Sequence, residues 1–92
     1  MHYTQGSVEI LSAGWDSHSQ SYLLICQPPR QAEGTFFIHV PDDYIPMGVS
    51  AYGSDYQYKW EKPIYQLTFG ATESLIHASI QFTKTSGGSQ KT

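Results

Sequence analysis

The side chains able to do chemistry are few and scattered. The four histidines, His2, His18, His39 and His77, form no HxH or HxxxH pair, and Cys26 is the one cysteine. His39 lies near two carboxylates, in the run His39-Val-Pro-Asp42-Asp43. Imidazole and carboxylate together suit a divalent metal or an acid–base pair. A metal site needs three or four convergent ligands, however, and Pro41 fixes the turn between them. The expected reading is a strand-end histidine followed by a solvated acidic turn, with no metal and no cofactor. A small enzyme using His39 and Asp42/Asp43 ranks last among the functions considered. Cys26 sits mid-segment among Tyr22, Leu24 and Ile25, where a thiol acts as a small buried hydrophobe rather than a nucleophile. The serines occur in no GxSxG or SxxK setting. No glycine-rich phosphate loop is present. The chain reads as a non-enzyme.

What concentrates instead is aromatic surface. In Ala51-Tyr-Gly-Ser-Asp-Tyr-Gln-Tyr-Lys-Trp60, an extended backbone throws Tyr56, Tyr58 and Trp60 to one face and Asp55, Gln57, Lys59 and Glu61 to the other. Three rings in a row form either the core face of an edge strand or a binding platform. Tyr44 and Tyr52 lie close by in sequence. A buried Tyr or Trp must also satisfy its polar tip, so some of these rings are expected at the surface. The background supports this, with eleven Ser, eight Gln, seven Thr and seven Tyr against only 14% charged residues. Rigid aromatics among small polar residues are the chemistry of antibody-like paratopes, and interfaces are depleted in Lys and Glu.

Those residues must be held by a small scaffold. Ninety-two residues make one domain, expected over 1–85, followed by a flexible polar tail at 86–92. With 39% hydrophobic residues the chain can build a core. One cysteine excludes a disulfide-stapled scaffold. Met1–Gly6 is polar, and the longest apolar run, Leu23–Cys26, is too short to span a bilayer. The expected location is the cytoplasm, away from membranes.

The elements read as strands punctuated by turn residues. Expected strands are Ser7–Ser12, Gln20–Gln27, Gly34–Val40, Val49–Tyr52, Asp55–Trp60, Ile64–Phe69 and Leu75–Thr83. Gln20–Gln27 is apolar on both faces, as in a central strand covered on each side. Residues 28–33 read as a hairpin loop and Asp42–Gly48 as a loop bounded by Pro46. The fold expected is all-β, a small antiparallel sandwich or partly open barrel of six or seven short strands. The alternative is an α+β sheet with one C-terminal helix at about 72–83, capped at Thr72.

The leading functional expectation is therefore a protein-binding module, with Asp42, Asp43, Tyr44, Tyr52, Tyr56, Tyr58 and Trp60 as partner-binding residues. Small, mildly acidic single-domain chains of this kind include immunity proteins and phage-encoded inhibitors of host defence, anti-CRISPR proteins among them. No motif here marks any such family. Five scattered Lys/Arg and a net charge of −3 argue against binding nucleic acid through its phosphates, and eight carboxylates are too sparse to mimic a phosphate row. The runner-up is a carbohydrate-binding module that stacks sugars on Tyr56, Tyr58 and Trp60. With few charges to guard open sheet edges, a homodimer is also expected.

Overall fold

The computed structural model describes residues 2–29 and 32–85, and the tail expected at 86–92 lies outside them. Within the described residues the chain forms eight strands and no helix. They are β1 (His2–Gln5), β2 (Glu9–Asp16), β3 (Ser21–Gln27), β4 (Gly34–His39), β5 (Tyr44–Tyr52), β6 (Tyr56–Glu61), β7 (Ile64–Phe69) and β8 (Ile76–Lys84). Two four-stranded antiparallel sheets result, in the orders β1-β4-β7-β6 and β2-β3-β8-β5. No strand is shared between the sheets, so the architecture is a sandwich rather than a barrel. The number of strands exceeds the six or seven expected. No helix forms at 72–83, because strict alternation puts Ile76, Ala78, Ile80 and Phe82 of β8 into the core.

Alternation also builds the rest of the core. Tyr22, Leu24 and Cys26 of β3 face Phe36 and Ile38 of β4 and Tyr65, Leu67 and Phe69 of β7. Ring contacts run between the sheets, from Tyr22 to Phe36 at 6.2 Å and from Tyr65 to Phe82 at 6.3 Å. They place β4 over β3 and β7 over β8. The two sheet orders then leave edge strand β6 above edge strand β5.

Several sequence expectations need correction. The 28–33 segment is not a hairpin loop, since β3 and β4 belong to different sheets. The true hairpins are β2–β3 and β6–β7. β2 does not stop at Ala13-Gly14 but runs through to Asp16, absorbing a bulge between Ile10 and Ser12. Residues 44–48 are strand rather than loop, because a second bulge between Pro46 and Gly48 accommodates the proline. β1 is an added strand, polar apart from Tyr3, whose ring stacks on Phe36 at 5.4 Å. β3 is central in its sheet, yet only its inner face is covered, and Leu23 on the outer face is 46% exposed. No helix among the described residues is long and apolar enough to cross a membrane.

Candidate functional site

β6 is set by its hairpin with β7. Pairing of Tyr56 with Phe69, Tyr58 with Leu67 and Trp60 with Tyr65 puts the three β6 rings on the same face as the buried β7 residues. They therefore point inward, toward the opposite sheet. That sheet ends at β5, whose inward positions beyond Tyr44, namely Pro46, Val49 and Ala51, are short and whose register is shifted by the bulge. The outcome is an open lateral groove of about 440 Å³ between the two edge strands. One wall carries Tyr56, Tyr58 and Trp60, the other Pro46, Met47, Gly48 and Val49, and Tyr65 completes the lining.

The rings in this groove have graded environments. Tyr65 is 1% exposed and in contact with Phe82, and burial pushes its phenol above the ordinary tyrosine range. Tyr58 stacks on it at 5.8 Å with the planes only 8° apart, yet remains 62% exposed. Most of the Tyr58 side chain is therefore open to solvent although its ring lies parallel to a buried one. Trp60 tilts against Tyr65 at 6.4 Å and is half-buried. Tyr56 closes one end of the groove, where its hydroxyl donates to the Val49 carbonyl at 3.0 Å. Met47, the extra residue of the bulge, is 64% exposed on the facing wall.

A sharp arch at Gly53–Asp55 joins the two walls. Gly53 adopts φ 106°, and a Cβ there would run into the Leu75 carbonyl oxygen. Only glycine fits both constraints. Ser54 locks the arch by donating to the Asp55 carbonyl at 2.8 Å or the Gly70 carbonyl at 2.9 Å.

The other expected site residues lie elsewhere. Tyr44 packs edge-on against Trp15 at 5.3 Å with the Lys84 ammonium 5.9 Å from its ring centre. Tyr52, 75% exposed, pairs with His77, away from the groove lining. Asp42 and Asp43 are exposed in the β4–β5 turn, where the Asp42 carboxylate lies 3.8 Å from the Lys62 ammonium. That turn is pinned by backbone bonds from Tyr44 to Pro41 and from Thr85 to Asp43. The structure thus gathers Tyr56, Tyr58 and Trp60 into one groove and leaves Tyr44, Tyr52, Asp42 and Asp43 outside its lining.

His39 is exposed and paired with His2 across β1–β4. Among the described residues no three His, Cys, Asp or Glu side chains converge as a metal-binding group. Cys26 is fully buried, and burial pushes its thiol up to about 11, so it is protonated at neutral pH.

Pro46, Met47, Val49 and Tyr65 were not recognised from sequence. Pro46 and Met47 fall in the segment the sequence predicts as loop, and Val49 at the start of a predicted strand. Tyr65 carried a signal, being aromatic at an inward position two residues past Pro63. No protein-family model matches this sequence, and comparison with curated proteins gives no match.

Proposed function

We propose that this chain is a non-enzymatic protein-binding module of the small inhibitor or immunity type, phage anti-defence proteins being the class it fits. It acts in the cytoplasm and blocks a partner protein through the Tyr56–Tyr58–Trp60 groove. The observation that carries this reading is Tyr58, an inward-pointing ring left 62% exposed beside a fully covered neighbour. Aromatic anchors at the centre of a concave apolar patch are where binding energy concentrates. Two walls tied by the Gly53 arch and the Tyr56–Val49 bond hold those anchors in place before binding, which lowers the ordering cost. Steric blocking by such a patch suits the sparse charge better than mimicry of nucleic acid.

The test is capture from the native cell or its host. Wild-type protein should retain one stoichiometric protein partner, and Tyr58→Ala with a native far-UV spectrum should lose it. Retention by the folded variant overturns the assignment. The exposure of the Tyr58 ring supports a second reading, stacking of a sugar ring in a carbohydrate-binding module. Trp60 fluorescence titrated with a glycan panel separates the two, since a protein-binding groove gives no response.

A further inference from the structure

The free edge of β6 is built differently from the other three edges. β1 spans four residues. β2 is interrupted by a bulge between Ile10 and Ser12. β5 carries both a bulge and Pro46, which has no N–H to offer. Short, bulged or proline-bearing edges resist pairing with another strand. β6 runs six residues in unbroken register with β7 and contains no Pro and no Gly.

The direction of its backbone groups follows from one hydrogen bond. The Gly70 N–H donates to the Asp55 carbonyl at 2.9 Å, so Asp55 turns its carbonyl toward β7. In an antiparallel ladder the N–H and C=O of a residue point to the same side, and successive residues alternate. Gln57, Lys59 and Glu61 therefore bond to β7. Tyr56, Tyr58 and Trp60 direct their N–H and C=O groups to the free edge.

We propose that a second copy of this chain pairs antiparallel with β6 across a two-fold axis at Gln57, joining two four-stranded sheets into one of eight. Charge selects the occupant and the register. An axis at Lys59 sets that ammonium opposite its own copy. An axis at Trp60, although it pairs Lys59 with Glu61, carries the next residues into the Lys62-Pro63 turn, where proline has no N–H to offer. An axis at Tyr58 sets Asp55 opposite Glu61 of the second copy. An axis at Gln57 sets Asp55 opposite Lys59 twice, once on each side, with the neutral Gln57 amides meeting at the centre. Opposite charges directly across strands stabilise pairing and like charges oppose it. The same register exchanges backbone bonds between Tyr56 and Tyr58 of the two copies and sets their rings side by side on the inner face. The pairing uses the backbone edge and the outer-face charges, so it stands whatever occupies the groove.

Two measurements test it. Sedimentation across the micromolar range should show a dimer for the wild type. Lys59→Asp should weaken dimerisation at least about tenfold, and the double variant Asp55→Lys/Lys59→Asp should restore it. Under mild oxidation Gln57→Cys should cross-link rapidly, because non-bonded residues facing each other lie about 4.5 Å apart at Cα, within disulfide range. Lys59→Cys should cross-link slowly, and buried Cys26 should not interfere. A monomer throughout, a dimer insensitive to the charge swap, or equal cross-linking from positions 57 and 59 each overturns the proposal. A monomer that still binds its partner through Tyr58 leaves the function standing while removing the dimer.

Discussion

Tyr65 and Tyr58 are stacked ring on ring, and they show how differently the two ends of this sandwich are finished. At the centre, β4 and β7 lie over β3 and β8, and every inward side chain is closed off from water. At the lateral edge, β6 overhangs the stretch of β5 beyond Tyr44, where the inward residues are short and the backbone is bulged. Both rings obey the same alternation, so which face a residue occupies is a local property. Whether that face is covered depends on what the opposite sheet supplies, here Pro46, Val49 and Ala51. The open edge combines inward geometry with outward access, which is what a rigid binding groove requires.

The widest gap between the two regions should appear in truncation energies. Tyr65→Ala empties a packed position and should cost about 3–5 kcal/mol of unfolding free energy. Tyr58→Ala should cost less than about 1 kcal/mol. Urea denaturation measures both, and similar losses would show that the groove is a disguised part of the core.

The arch should respond next. Gly53→Ala meets a positive φ and the Leu75 carbonyl, and a loss of about 1–3 kcal/mol is expected. A variant of undiminished stability would show that the two walls are not held by this arch.

The closed centre should also be visible in pH dependence through Cys26. Its thiol is raised by burial to about 11 in the folded protein, so the native state holds the proton more tightly than the unfolded chain. That contribution is complete below the unfolded value of about 8.5 and is lost as pH rises toward 11, a change on the order of 3 kcal/mol. The stability difference between wild type and Cys26→Val should therefore fall across that window. A constant difference contradicts the burial account. Thiol reagents should label Cys26 slowly in the native protein.

The smallest effect is expected at the groove's end. Tyr56→Phe removes one partly exposed hydrogen bond to Val49 and should cost about 0.5–1 kcal/mol. Loss of several kcal/mol would mean that the groove end contributes to the core.

The sequence made the alternation legible, and with it the fold class. The predicted strands Gln20–Gln27, Ile64–Phe69 and Leu75–Thr83 match β3, β7 and β8 to within a residue or two, the first by its apolar run ended by Pro28-Pro29 and the last by its strict alternation. The Tyr56/Tyr58/Trp60 face was legible for the same reason. What stayed hidden was long-range pairing. Nothing local to Pro28-Pro29 says that the chain changes sheets there rather than turning back. The proline at 46 argued for a loop, and only the bulge against Phe82 and Gln81 makes a strand of it. β1 escaped notice because its one core-facing ring, Tyr3, sits in an otherwise polar segment. Proximity in sequence groups Tyr44 and Tyr52 with the groove, but Tyr44 packs on Trp15 and Tyr52 faces out.

The central claim is that Tyr58 and Trp60 serve binding rather than folding. It is tested most directly by measuring partner affinity and unfolding free energy on the same Trp60→Ala and Tyr58→Ala proteins. The account predicts a native far-UV spectrum, a stability loss for Tyr58→Ala below about 1 kcal/mol, and a binding loss of 2 kcal/mol or more at each position, as for anchor residues generally. Folded variants that bind as tightly as wild type would contradict it.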